Sequence, residues 1–292
     1  MGDFILRIST NGGALAFIAT TANTVGRAAK IHGGTPVVSA ALGRLLTAAA
    51  IMGASLKNDG DLLTLNIKGD GPIGGIVATS DRFSRVKGYP INRDADLPLK
   101  PNGKLDISGA LGNGHLHVIK DLGLKEPYIG TAPLVSGEIA EDLVNYFAVS
   151  EQTPSAIGLG VLVDRDYTIK SAGGFFIQLL PNADDQTISA LERVLGGFDS
   201  VTSFYDGGKT PYDMADHFFA GIGYRITDVL PVSYHCNCGR QRAEKALVSL
   251  GAEELEKIIA EDKKATLHCH FCRSDYDFDE GDLNSLLREI KK

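Results

Sequence analysis

The chain has 292 residues, 43% of them hydrophobic and 22% charged, which is enough for a sizeable core and longer than most single domains. Its net charge of −7 repels polyphosphate chains, and residues 232–292 carry ten basic against twelve acidic side chains, so nothing favours nucleic acid as a partner. Met1-Gly2-Asp3-Phe4 has an acid where a signal peptide has basic residues, and Arg44 interrupts the longest apolar run, 36–52; the expectation is a cytoplasmic protein, free of the membrane, with reduced thiols.

Up to about residue 180, short apolar alternations broken by Gly, Pro, Asn and Asp predict a mostly antiparallel sheet system. The expected strands are 4–9, 14–20, 62–68, 75–79, 115–120, 156–163 and 174–180. Thr35-Pro36 reads as an N-cap with proline at the first helical position, opening a core helix to residue 54. Ile139, Leu143 and Phe147 recur at helical spacing within 137–150. After Pro181 helical spacing takes over to about Val229. Asp184 or Asp185 caps a helix with Ile188, Leu191 and Leu195 on its apolar face. Thr210-Pro211 opens another, with Asp213 as a capping-box acid and Met214, Phe218 and Phe219 apolar. Residues from Pro231 onward hold every cysteine and helices near 240–249, 252–262 and 282–290. The expected architecture is α+β: a mostly antiparallel, β-rich domain with inserted helices over 1–180, a helical linker over 181–230, and a small terminal unit over 231–292.

Cys236-Asn237-Cys238 and Cys269-His270-Phe271-Cys272 pair a C-x-C with a C-x-x-C. Two close pairs of thiols in a reducing compartment point to tetrahedral zinc held by Cys236, Cys238, Cys269 and Cys272. His235, His268 and His270 flank them, but each would have to displace a thiolate to bind. Four thiolates leave no open position for substrate, which argues against catalytic zinc. About sixty residues have too little core to be comfortably stable alone, whereas structural zinc contributes roughly 10–16 kcal/mol. Oxidation to two disulfides would remove all four ligands, while loops of a few residues return only about 3–4 kcal/mol together. The expectation is therefore a redox switch: oxidation expels zinc and unfolds the tail.

Other motifs carry less. Residues 69–74 match G-x-G-x-x-G, and Asp94 falls near a ribose-binding offset, but Pro72 interrupts the motif and strand follows where a phosphate-binding helix should start; a hairpin turn is the better reading. No Walker-type loop or Gly-x-Ser-x-Gly elbow is present, so neither ATP-driven work nor a hydrolytic triad is expected. His115-Leu116-His117 puts two imidazoles on one strand face, read as solvent-facing.

Residues 68–73 (Lys-Gly-Asp-Gly-Pro-Ile), 135–143 (Val-Ser-Gly-Glu-Ile-Ala-Glu-Asp-Leu), 150–156 (Ser-Glu-Gln-Thr-Pro-Ser-Ala) and the cysteine quartet together resemble the redox-regulated 33 kDa heat shock protein family, the 33 kDa chaperonins. The resemblance covers the whole chain. It implies a two-layer β domain with helices, a helical linker and a C-terminal zinc domain over 231–292, in an ATP-independent holdase that is reduced, zinc-bound and weakly active at rest. It further implies that oxidation pairs Cys236 with Cys238 and Cys269 with Cys272, that the linker unfolds, and that unfolding client proteins are captured, usually by a homodimer. Gly239 stands where the family often has Ser, a change that removes no ligand. Two rival classes are a thiol-disulfide oxidoreductase, which would place C-x-x-C early in a βαβ fold, and an interaction module with permanent structural zinc. Turnover of a dithiol substrate would select the first, and binding insensitive to peroxide the second.

Overall fold

The computed structural model describes residues 2–291, in two units, one ending at His235 and the other beginning at Cys236. The first unit opens with β1 (Phe4–Thr10), β2 (Ala14–Thr20), α1 (Ala22–His32), α2 (Pro36–Gly53), β3 (Leu62–Gly69), β4 (Gly75–Asp81) and β5 (Arg85–Pro90). It continues through α3 (Ile107–Leu111), β6 (Gly114–Asp121), β7 (Tyr128–Pro133), α4 (Ala140–Val149), β8 (Ser155–Val163) and β9 (Ile169–Leu179). It closes with α5 (Asp185–Gly196), α6 (Val201–Asp206), α7 (Pro211–Phe219), β10 (Tyr224–Pro231) and β11 (Ser233–Tyr234).

These strands form two sheets, ordered β10-β1-β2-β9-β8 and β11-β5-β4-β3-β6-β7. All pairings are antiparallel except that of the two-residue β11 with β5. The expected α+β class with antiparallel sheets holds. Between the sheets runs α2, touching β3, β4 and β5 on one side and β2, β8 and β9 on the other. Thr35 caps it by accepting from the Val38 amide, with Pro36 in the first turn. It is long and apolar enough to cross a bilayer, yet all of it except Pro36 and Arg44 is buried in the protein. A helix enclosed on every side is apolar on every side.

Arg44, the break in that run, donates from Nη1 to Glu138 Oε2 at 2.7 Å and to the Glu138 carbonyl at 3.2 Å. Glu138 is held there by Asp142, whose fully buried carboxylate accepts from the amides of Val135, Ser136, Gly137 and Ile139 at 2.8–3.2 Å. Four amides on one carboxylate bend the chain hard enough to put Ile139 at a φ of +68°, a region that β-branched residues rarely enter.

Because side chains alternate along a strand, the five-stranded sheet has two apolar faces. Ile5, Phe17, Ala19 and Phe176 join α2 in one core. Leu6, Ile8, Ala16, Ile18, Phe175 and Ile177 face the other way, under Leu191 of α5, Val201 of α6 and Met214, Phe218 and Phe219 of α7. Leu195 is half-buried at the margin of this second core, and Ile188 is half-exposed. The caps stand where the sequence put them: Asp184 accepts from the Thr187 amide at 2.7 Å, and Thr210 with Asp213 forms a reciprocal box. The segment read as helical to Val229 nevertheless ends in a strand, β10. Its register against β1 slips between Arg7 and Ile8, so Thr227 is an extra residue whose hydroxyl donates to the Arg7 carbonyl at 3.1 Å. That bulge throws the apolar residues of β10 out of alternation.

Candidate metal centre

In the second unit, Cys236–Gly239 leads into α8 (Arg240–Val248) and α9 (Ala252–Glu261), followed by β12 (Ala265–His268), β13 (Asp275–Phe278) and α10 (Glu280–Ile290). β12 and β13 make an antiparallel hairpin with His268 opposite Asp275. The C-x-x-C therefore occupies the hairpin loop, closed by the Cys269 amide on the Ser274 carbonyl at 2.9 Å and the Arg273 amide on the Cys269 carbonyl at 2.7 Å. The other two cysteines sit in extended chain just before α8. Arg240, the first residue of that helix, donates to the Asp277 carbonyl at 2.8 Å and to Asp282 Oδ2 at 2.6 Å, and its guanidinium lies 4.5 Å from the Phe278 ring centroid. It ties the start of α8 to the hairpin and to α10.

This arrangement brings all four sulfurs within 4.8 Å of one another. Across the motifs, Cys236 lies 3.7 Å from Cys269 and Cys238 lies 3.2 Å from Cys272. None is bonded to another, and all four residues are half-buried. Sulfurs about 3.8 Å apart are what a tetrahedral zinc at its usual Zn–S distance requires, so the donor set fits that ion. Among the thiols themselves, burial pushes Cys236 and Cys238 up. Burial pushes Cys272 the same way, but the Ser274 hydroxyl and Cys238 outweigh it and bring Cys272 down. All four could be thiolates together only with a cation between them.

Among the described residues, these cysteines are the only group of three or more ligand-type side chains positioned to share an ion. None of the flanking histidines belongs to it. His268 pairs through Nδ1 with Asp275 at 2.6 Å. The His115 and His117 rings lie 6.3 Å apart on β6, where burial, then Lys68 and His115, hold His117 below its ordinary pKa. Of residues 69–74, Gly69 ends β3 and the rest form the β3–β4 connection, with the Gly71 amide on the Leu111 carbonyl and Asp70 accepting from the Asn113 amide, so the turn is engaged internally. Two groups of the site escaped the sequence reading: Arg240, and Tyr276, whose hydroxyl donates to Cys238 Sγ at 3.1 Å. The signal available for them was the polar-apolar alternation of 265–268 and 275–278 on either side of the C-x-x-C, which marks the loop as a hairpin tip.

Fold and site together define a two-unit protein in which a two-sheet α+β body is followed by a small module whose four clustered thiols could share a metal ion. The Hsp33 protein family matches residues 3–279. The 33 kDa chaperonin of Ruminiclostridium cellulolyticum is 47% identical over 293 residues, all of both chains, and that of Clostridioides difficile is 49% identical over 99% of this chain and 100% of its own. The crystal structure of the 33 kDa chaperonin of Thermotoga maritima, 34% identical, superposes with a TM-score of 0.90 over 100% of this chain and 99% of that one. The chain belongs to the Hsp33 family, chaperones rather than enzymes.

Proposed function

We propose that this chaperone is an ATP-independent holdase of the cytoplasm, switched on when oxidation dismantles a zinc centre made by Cys236, Cys238, Cys269 and Cys272. The observation that carries the reading is the pairing of four adjacent free sulfurs with a very small core. In the second unit the buried apolar residues are Ala243, Leu247, Leu255, Phe278, Leu283 and Leu286. Such a core supplies little net stability, so the bound ion contributes most of the cohesion, and the thiolates that hold it are exposed enough to meet an oxidant.

Peroxide takes two electrons from each pair of thiols, forming one S–S bond and two waters per pair. Family resemblance assigns the pairs as Cys236–Cys238 and Cys269–Cys272, and the two- and three-residue spacings favour local closure. The ligand set is then lost, zinc leaves, and the second unit unfolds. Residues 181–230 act as the linker that loosens next. The apolar faces of α5–α7, and the outer face of the five-stranded sheet beneath them, then capture unfolding proteins, with the active form a homodimer that binds neither nucleic acid nor membrane. The test compares suppression of heat aggregation by reduced and peroxide-treated protein, with zinc followed by a chromogenic chelator and the disulfides mapped by peptide mass spectrometry. Equal activity in both states, or activation without zinc release, would overturn the switch; Cys236–Cys269 and Cys238–Cys272 bridges would overturn the pairing.

A further inference from the structure

Tyr276 stands on β13 opposite Leu267, on an arm of the hairpin whose loop carries Cys269 and Cys272. Its hydroxyl reaches past both to Cys238, 38 residues away in sequence, at 3.1 Å. The ring packs against the small core of the second unit, which restrains the side chain and aims the donor. Ser274 also approaches a sulfur, Cys272 at 3.3 Å, but from within the same loop. The Tyr276 bond instead joins the two halves of the ligand set.

A donor fixed on a ligand sulfur orients that ligand and stabilises its negative charge. Resting on the zinc reading above, we infer that Tyr276 is a positioning residue of the centre: its hydroxyl holds Cys238 Sγ in its ligating place and fastens the 236–238 segment to the hairpin. Tyr276→Phe keeps the packed ring and removes only the donor. Groups of this kind typically change metal affinity by about 10–100-fold.

The experiment uses reduced full-length protein. Zinc affinity is measured by chelator competition, alkylation of Cys238 relative to Cys236 by iodoacetamide is read on peptides, and the sulfur-to-metal charge-transfer band is recorded after loading with Co2+. In Y276F the affinity falls about 10–100-fold, Cys238 is alkylated faster relative to Cys236, and the band moves to lower energy. Thr266→Val is the control, because it removes another hydroxyl of the same hairpin, one bonded to Asp277 at 2.7 Å and touching no sulfur; it leaves affinity and band unchanged. Unchanged zinc affinity in Y276F overturns the role of Tyr276 while the zinc reading stands. An equal fall in both variants with an unmoved band likewise overturns it, since that is loss of hairpin stability. Wild-type protein that takes up neither metal overturns the zinc reading and this inference with it.

Discussion

Phe219→Ala separates release of α5–α7 from chemistry at the thiols. Phe219 is fully buried, with its ring 6.0 Å from those of Phe218 and Tyr224. It belongs to the core that seats α5–α7 on the five-stranded sheet. Those helices have 12, 6 and 9 residues, at or below the ~12–15 residues at which isolated helices become marginal, so docking keeps them ordered. Deleting a buried phenyl ring removes about 3–5 kcal/mol, which at 1.4 kcal/mol per decade raises the undocked fraction about 150- to 4,000-fold. Reduced Phe219→Ala protein should therefore suppress client aggregation without peroxide while keeping its zinc. Phe17→Ala is the matched control: Phe17 is equally enclosed but faces α2 on the opposite side of the same sheet, so it should lower stability without activating the reduced protein. Light scattering of a heat-unfolded client reads activity, and hydrogen exchange over 185–219 reads undocking. A reduced Phe219→Ala protein with fast-exchanging α7 amides and no holdase activity would refute the reasoning.

Three further outcomes follow from the first and second units. Burial pushes Glu138 up, but hydrogen bonds from Lys100 and Arg44 outweigh it and hold the carboxyl below its ordinary value. Its contribution to stability is therefore complete above the unfolded carboxylate pKa of about 4.3 and is lost as pH falls through the lower folded value; Glu138→Gln should be less stable at neutral pH and show a flatter acid limb in denaturant titrations. Gly130→Ala would put a methyl group 2.7 Å from the Tyr146 ring, whose hydroxyl donates to Glu151 at 2.6 Å, and should cost about 1–3 kcal/mol by overpacking, read as a lower denaturation midpoint. Gly239→Ser meets nothing within 4 Å of its new Cβ and gives α8 the cap hydroxyl it lacks; reduced, zinc-loaded protein should gain a few tenths of a kcal/mol in the second unit, visible as slower amide exchange there.

Legibility in the sequence depended on whether a residue's partner lay nearby in the chain. Thr35-Pro36 and Thr210-Pro211 with Asp213 were readable because a cap bonds within three residues. Strands β5 and β7 were not. Gly88 faces Leu42 and Leu46 of α2, Gly130 faces Tyr146, and in both places a bulky neighbour fills the space a side chain would need. The inward positions of these strands thus hold glycine where an apolar alternation is expected. β10 was hidden by its bulge at Thr227, and β12 and β13 by having only four residues each. The cysteines announced themselves by spacing, which brought four donors to one point. Tyr276 could not, because its tie to Cys238 exists only once the hairpin has folded back over the 236–238 segment.

In the proposed switch, the second unit keeps its fold only while four sulfurs grip an ion. Hydrogen exchange of the reduced full-length chain, with zinc present and after removal by chelator under thiol protection, tests this most directly. Protection across 240–290 should vanish with the metal while the two-sheet body keeps its own. Undiminished protection of α8, α9 and α10 in the metal-free protein would contradict the claim.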